Sequence, residues 1–380
     1  MKLLAVDQDA VPAGDRGFWR ALNATKECEI TLVVPRLWKA GEVTVHAGEE
    51  SSQLRVIPMT PAFAGKSHRA FYPGLMRLVR TVRPDVLFVN AEPESFLCAQ
   101  AARIKRSTGT PLMCMTWRNI DYGRGEFPYT LPFLNDIAQS IVFRNADICI
   151  AHNKPGVEIL QRRRFRNVRF IPPSVDTEVF TYLPRSGRRK GKEPRGRTIG
   201  YVGRLDAQKG VDLLLRACAG LIASTRLIIV GSGPHEHVLR ALARELKIES
   251  RITWIPWVPH PEVARQLQRM DVLVLPSRTT STWKEQFGRV LIEAMACGTA
   301  VVGSDSGEIP QVIGDAGFIF AEGDIGGLEK RLKALARKEN IERLVKKGIQ
   351  RVTKFYSIPV VMRQWQKILR EVASNVTPIV

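Results

Sequence analysis

The sequence predicts an α/β protein of two doubly wound, mainly parallel-sheet domains. Three observations carry that expectation. Short apolar runs alternate with longer amphipathic ones from end to end, the rhythm of strands joined by crossover helices. The rhythm breaks at Pro184–Arg197, PRSGRRKGKEPRGR, where no large apolar side chain occurs. A chain of 380 residues, 44% hydrophobic and 25% charged, suits two ordinary globular cores rather than a disordered, collagen-like or multispanning protein.

In the first half, Leu3–Val6, Ile30–Val34, Val86–Val89, Leu112–Met115 and Ile148–Ala151 read as buried strands. Helical stretches such as Ala70–Val82 and Ser95–Ile104 lie between several of them. In Pro184–Arg197, seven residues are Lys or Arg and one is acidic, so this stretch reads as a linker or exposed loop. A second series follows, with strands at Thr198–Val202, Leu227–Val230, Ile252–Trp254, Val272–Leu275, Ala300–Gly303 and Phe318–Phe320. Helices fit Val211–Ile222, His235–Leu246, Pro261–Met270, Arg289–Cys297 and Ile325–Ala336, then Ile341–Thr353 and Pro359–Ala373. The expected organisation is a first domain over 1–181, a basic linker or loop over 182–197 and a second domain over 198–358, with 359–380 returning to the first.

The charge is unusual: 57 Lys and Arg against 37 Asp and Glu give a net charge of +20. Such a surface attracts nucleic acid, anionic lipid, polyanionic saccharide or phosphorylated small molecules. Composition does not choose among them. Nucleic-acid binding rests on charge alone, without aromatic–basic interleaving or a known module, and is not expected. The six cysteines include no CxxC pair and sit in apolar segments, as scattered buried thiols do in a reducing cytoplasm. No zinc or other metal site is expected from them. The N-terminus turns acidic at Asp7, too soon for a signal peptide, and no run approaches the ~18 apolar residues of a spanning helix. The expected location is the cytoplasm. The basic linker, with Arg162, Arg163, Arg164 and Arg166, suggests peripheral attachment to an anionic membrane surface.

Chemistry concentrates in the second half. In Tyr201-Val202-Gly203-Arg204-Leu205-Asp206-Ala207-Gln208-Lys209-Gly210, a strand ends at a glycine and two cations follow five residues apart. Gly203 permits close backbone approach, Arg204 offers a planar fork of donors, and Lys209 is a compact charge. Together they suit a diphosphate; a turn with two solvated cations is the plainer alternative. Gly231-Ser232-Gly233-Pro234 forms another strand-to-helix turn, but lacks the third glycine of a dinucleotide fingerprint. In Glu285-Gln286-Phe287-Gly288-Arg289-Val290-Leu291-Ile292-Glu293, two carboxylates stand eight residues apart. Gly288 marks the passage from loop to helix, which places Glu285 on the loop and Glu293 inside the helix. Backbone N–H groups from Gly288 to Val290 then point outward as an anion site. Glu293 lies near the packed face, where a carboxylate needs partners such as sugar hydroxyls. The loop Trp257-Val258-Pro259 suits the wall of a planar base, or plain core packing. None of the six histidines has the spacing of a catalytic base.

These motifs, in this order over about 120 residues from Gly200 to Phe320, resemble a retaining glycosyltransferase of family 4 with the GT-B architecture. The resemblance includes GYVGRLDAQKG, VGSGP, WVPHPEV, MDVLVLPS and EQFGRVLIEAMACG, and the segment Ile171–Phe180 is similar as well. It implies two Rossmann-like domains facing across a cleft. It implies transfer of a sugar from a nucleotide-diphosphate sugar to a saccharide or lipid-linked saccharide acceptor, with retention at the anomeric carbon. Arg204 and Lys209 would grip the diphosphate, Glu293 the ribose, and Glu285 the donor sugar. The amides of Arg289 and Val290 would meet the phosphates, and Val258 would lie against the base. The resemblance implies no cofactor and no metal. The first half departs from the pattern. Where many members carry a Gly-Gly loop, Asp7–Trp19 has isolated Gly14 and Gly17, and where many carry a histidine, Trp117-Arg118-Asn119 stands. Gly14, Gly17 and Asn119 are the acceptor-side candidates. The missing histidine motivates the alternative of a catalytically silent subunit of a glycosylation complex.

Overall fold

A computed structural model describes residues 1–40, 43–48, 53–123, 125–129, 131–184 and 197–374. The basic stretch expected as a linker lies, from 185 to 196, outside the described residues. The chain divides into two units, Met1–Pro172 with Ile358–Val380, and Pro173–Ser357.

In chain order the first unit contains β1 (Lys2–Asp7), α1 (Gly17–Ala24), β2 (Glu29–Pro35), β3 (Leu37–Ala40), β4 (Val43–His46) and β5 (Arg55–Met59). It continues with α2 (Leu75–Val82), β6 (Val86–Asn90), α3 (Phe96–Thr108), β7 (Leu112–Thr116), α4 (Pro132–Asn145), β8 (Ile148–Ala151), α5 (Lys154–Arg162) and β9 (Val168–Phe170). The second unit contains β10 (Thr198–Val202), α6 (Val211–Ala219), β11 (Arg226–Val230), α7 (Glu236–Glu245), β12 (Ile252–Ile255), α8 (His260–Arg269) and β13 (Val272–Leu275). It ends with α9 (Arg289–Ala296), β14 (Ala300–Ser304), α10 (Ile309–Ile313), β15 (Gly317–Phe320), α11 (Ile325–Ala334) and α12 (Lys338–Phe355). Helix α13 (Ile358–Ser374) belongs to the first unit.

The first sheet runs β5-β2-β1-β6-β7-β8-β9, parallel throughout. Its inner strands, from β2 to β8 across the sheet, are buried on both faces, as parallel strands between helices must be. Successive side chains point to opposite faces. Leu3, Ala5, Ile30, Leu32, Phe88 and Ile150 therefore enter one core, and Leu4, Val6, Val33, Leu87, Val89 and Cys149 the other. Helix α13 covers the first face with Val361, Trp365, Ile368, Leu369 and Val372. Trp365 meets Phe88 edge-on, with centroids 4.9 Å apart, and also meets Trp19 at 5.9 Å. Capping fixes two helix starts on the other side: Ser95 Oγ accepts from Cys98 N at 3.1 Å, and Asn153 Oδ1 from Gly156 N at 2.7 Å.

The second sheet runs β12-β11-β10-β13-β14-β15, again parallel. Chain order thus reverses direction between β10 and β13. All six cysteines are free and buried. Two expectations need correction. Residues 173–181 belong with the second unit rather than the first: Val175 N donates to Tyr356 O at 2.8 Å, Val175 bridges Ser357, and Gln268 Nε2 donates to Thr181 O at 3.0 Å. The expected helix Ala70–Val82 begins only at Leu75, because Pro73-Gly74 interrupts it. The hairpin β3–β4 and the edge strands β5 and β9 were not anticipated.

Candidate functional site

In an open parallel sheet, ligands bind at the carboxyl ends of the strands where the strand order reverses. In the second unit that place lies between the loops leaving β10 and β13. The β10 loop carries Gly203, Arg204 and Lys209; the β13 loop carries Ser277 and Glu285. They are joined there. Lys209 Nζ lies 2.8 Å from Glu285 Oε2, and Ser277 Oγ donates to the same oxygen at 2.7 Å. The ammonium also sits 4.6 Å from the centre of the Trp283 ring, an arrangement that attracts a cation to the ring face. Arg278 binds the two loops further, pairing with Asp212 at 2.5 Å while its N–H donates to Gln208 O at 2.7 Å.

The surrounding polar groups are buried and engaged. Ser304 Oγ donates to Ser277 O at 2.6 Å, and Glu308 N donates to Glu285 O at 3.2 Å, so the β14 loop braces the β13 loop. Glu285 is 6% exposed. Arg204 differs: its side chain is 76% exposed and its guanidinium pairs with Asp206 at 3.1 Å. Solvent screening leaves little stability in that pair, and the cation stays available to a ligand.

The β10 and β11 loops are interlocked. Gly231 has φ +140°, and a Cβ there would stand 1.9 Å from Gly203 O. Leu205 N donates to Ser232 O at 3.1 Å. Trp257 N, beside half-buried Val258 on the β12 loop, donates to Ser232 Oγ at 3.2 Å. Gly203 and Val258 therefore lie on the two loops that flank the β11 loop.

Gly288 adopts φ +80° and opens α9, whose start has no side-chain cap. The amides of Arg289 and Val290 occupy its first turn, where N–H groups have no intrahelical acceptor and favour an anion. Glu293 follows inside the helix, 8% exposed. Among the described residues its carboxylate accepts no hydrogen bond.

In the first unit the strand order reverses between β1 and β6. Asp7 at the end of β1 accepts from Trp19 Nε1 at 2.8 Å, from Asn90 Nδ2 at 2.5 Å and from Asp9 N at 2.9 Å. Glu92 accepts from Trp117 N at 2.7 Å and from the Thr116 hydroxyl. Enclosure and the nearby Glu94 carboxylate push the Glu92 carboxyl up to about 7, against the opposing pull of Thr116, Arg118 and Trp117. Arg118 and Glu94 touch at 2.5 Å, both almost fully buried, without the alignment of a hydrogen bond. Asn119 is buried beside them in sequence, at 6% exposure. Gly14 lies in a 3₁₀ turn, Ala13–Arg16, with open space where a Cβ would stand. Gly17 opens α1 at φ −51°, an ordinary helical value. Gly14 and Gly17 thus stand just ahead of and at the start of α1, and Asn119 follows the end of β7.

Sequence reasoning missed Ser277 and Trp283 as partners of the charged pair, and Arg278 as the link to Asp212 and Gln208. The available signal was their position just after a strand end, at Leu275-Pro276-Ser277.

Residues 20–179 match the model of Glycosyltransferase Family 4, and residues 185–351 match Glycosyl transferases group 1. The two matches account for most of the chain. Each half of the chain thus matches a glycosyltransferase family. Among curated relatives of this glycosyltransferase, a D-inositol 3-phosphate glycosyltransferase of Mycobacterium sp. (strain KMS) is 31% identical over 222 residues, covering 55% of the chain and 48% of the relative. The chain thus spans about half the length of the curated relatives it matches. Among solved structures, a sucrose-phosphate synthase from Thermosynechococcus elongatus superimposes with TM-score 0.74 at 18% identity, covering 98% of this chain and 99% of that one. Anabaena HepE in complex with UDP gives 0.73 at 17% identity, with 98% and 100% covered. At these identities the structural likeness establishes the fold: two parallel-sheet, Rossmann-like domains of GT-B type.

Proposed function

We propose that this glycosyltransferase moves a sugar from a nucleotide-diphosphate sugar to a hydroxyl of a saccharide or lipid-linked saccharide, with retention at the anomeric carbon and without a metal. The observation that carries this reading is the Lys209–Glu285 pair at the reversal point of the second sheet, three residues before the uncapped start of α9. A cation fixed in place before the ligand arrives stabilises developing charge without reorganising, which is where electrostatic catalysis gains most. The bond from the anomeric carbon to the diphosphate oxygen breaks, and its electron pair leaves with the diphosphate. Lys209, Arg204 and the amides of Arg289 and Val290 meet that charge. The acceptor oxygen bonds the same face of the carbon, and its proton passes to a departing phosphate oxygen. Glu293 holds the ribose, Val258 flanks the base, and Glu285 orients Lys209 and the donor sugar.

HepE structures with UDP and UDP-glucose make uridine donors the first to screen. The other partners we propose are an acceptor bound by the first unit and an anionic membrane surface on the cytoplasmic side. Arg204→Ala and Lys209→Ala should each lower kcat about 10²–10³-fold in a donor hydrolysis or transfer assay. Full turnover in both variants removes the mechanism. No turnover by the intact chain with any nucleotide sugar, alongside nucleotide binding, would favour the silent-subunit reading that the Trp117-Arg118-Asn119 segment motivates.

A further inference from the structure

Trp283 stands outside the motifs that carry the family resemblance, in the stretch Arg278–Lys284 between MDVLVLPS and EQFGRVLIEAMACG. The loop around it is fixed at several points. Arg278 N donates to Gln208 O at 2.7 Å, and Thr279 gives its N–H and its hydroxyl to the two oxygens of Glu322, each at 2.6 Å. Thr280 N donates to Trp283 O at 2.7 Å, so the backbone folds back on itself between these residues. Beyond the tryptophan, Gly307 is pressed against the loop: at φ +53°, a Cβ there would stand 1.9 Å from Glu285 O. Anchors on both sides thus present the indole to Lys209, whose ammonium lies 4.6 Å from the ring centre. Among the described residues Trp283 meets no other aromatic ring, so stacking in a core does not explain its place.

A lysine is a flexible cation, and ordering its four-carbon stem at the moment of reaction costs entropy. Glu285 fixes the ammonium from one side at 2.8 Å. A second carboxylate would fix it further, but would cancel the charge that a diphosphate needs. An aromatic face attracts the ammonium and carries no formal charge. Lys209 is therefore held from two directions, with 20% of its side chain exposed, and among the described residues one carboxylate pairs with it. The ammonium has three N–H donors, and these two contacts leave it capacity to donate to a ligand.

We propose that Trp283 is a positioning residue for Lys209: the indole face and the Glu285 carboxylate together hold the ammonium in one place, ready for the departing diphosphate. The assignment rests on the role of Lys209 proposed above and extends it to a side chain in the intervening loop.

Acetylation of the full chain with an N-hydroxysuccinimide ester, read at Lys209 by peptide mass spectrometry, tests the placement without any ligand. Trp283→Leu should raise the rate at Lys209 at least about fivefold relative to exposed Lys330, while Trp283→Phe, which keeps a ring face, should stay near wild type. Hydrolysis of UDP-glucose tests the consequence. Trp283→Leu should lower kcat about tenfold, equivalent to about 1.4 kcal/mol, with KM changed less than about twofold. Trp283→Phe should recover most of that loss. In a Lys209→Ala background Trp283→Leu should cost nothing further, because a residue that acts through the ammonium has no effect once the ammonium is gone. Where Trp283→Leu does not fold, Trp283→Met carries the same expectations. The proposal is overturned if Lys209 labels equally fast in the wild type and well-folded Trp283→Leu, if the two turn over alike, or if the substitution costs as much without Lys209 as with it. A rise in KM with kcat intact would make Trp283 a donor contact and overturn it as well. No hydrolysis of any nucleotide sugar by the wild type, with the labelling contrast intact, would sink the transferase reading and leave Trp283 as the residue that places Lys209.

Discussion

Glu293 and Lys209 are opposite solutions to one problem. Lys209 carries its charge into a half-buried position with a carboxylate 2.8 Å away and an aromatic face beside it. Glu293 is buried to 8% exposure and accepts no hydrogen bond from the described residues. Its carboxylate oxygens are not sealed from water without a partner, so the unliganded fold carries no large penalty there. Glu293→Ala should therefore leave the melting temperature of the unliganded protein unchanged, while reducing the rise produced by a nucleoside diphosphate. Thermal melting with and without UDP measures both; a fall in the unliganded value with a full UDP effect would show a structural role. Gly203, Arg204, Lys209, Glu285 and Glu293 were legible in the sequence because glycine-punctuated strand ends isolate them. Trp283 was not, because its contact is with Lys209, across nearly the same separation as the 76 residues between Lys209 and Glu285, and Ser277 was not, because nothing marks that the loop turns Glu285 back onto it. Spacing alone does not report which distant side chain fills a pairing.

At the scale of elements, the two sheets follow their apolar runs closely, since strands buried on both faces write continuous hydrophobic stretches. Edge elements escaped for the complementary reason. Strand β9 has only three residues, and β5 is an edge strand with Pro58 and no fully buried position. The loop after β1 was legible only as a departure from the family pattern. Its organiser is Arg16, fully buried, whose guanidinium donates to Ala10 O at 2.9 Å, Val11 O at 2.7 Å and Gly48 O at 3.1 Å. A lone arginine in a polar stretch gives no sequence signal of burial. The β6–α3 loop yields a pH prediction through Glu92. Its carboxyl titrates at about 7 when folded, against an ordinary value of 4.5. The folded protein therefore holds a proton that the unfolded chain has released, and this contribution to stability is complete below pH 4.5. It declines as pH rises through about 7. Glu92→Gln should flatten that part of the profile in urea titrations run from pH 4.5 to 8. Parallel wild-type and variant profiles would mean that Glu92 ionises normally.

At the scale of the whole molecule, the charge of +20 and the two similar units were evident from composition and rhythm, but the dividing line was not. The segment 173–181 reads as continuous with the first domain, and the contacts of Val175 with Tyr356 and Ser357 and of Thr181 with Gln268 place it in the second. The returning helix is the stronger case. Val361, Trp365, Ile368, Leu369 and Val372 are each at most 6% exposed in the first unit's core. At about 1.5–3 kcal/mol per buried side chain, they contribute an amount similar to the whole stability of a typical domain. Deleting 358–380 should therefore unfold the first unit while the second keeps its own transition. Calorimetry would show one transition lost, and two unaltered transitions would contradict the packing.

That return path sets an order of events during synthesis. Residues 1–172 leave the ribosome with one face of their sheet covered only in part, by α1, and it stays so until α13 emerges after the entire intervening unit. A stop or a proteolytic cut ahead of α13 would thus damage the unit that was made earlier. Nascent chains carrying that partly covered face are the species on which chaperones would be expected to act.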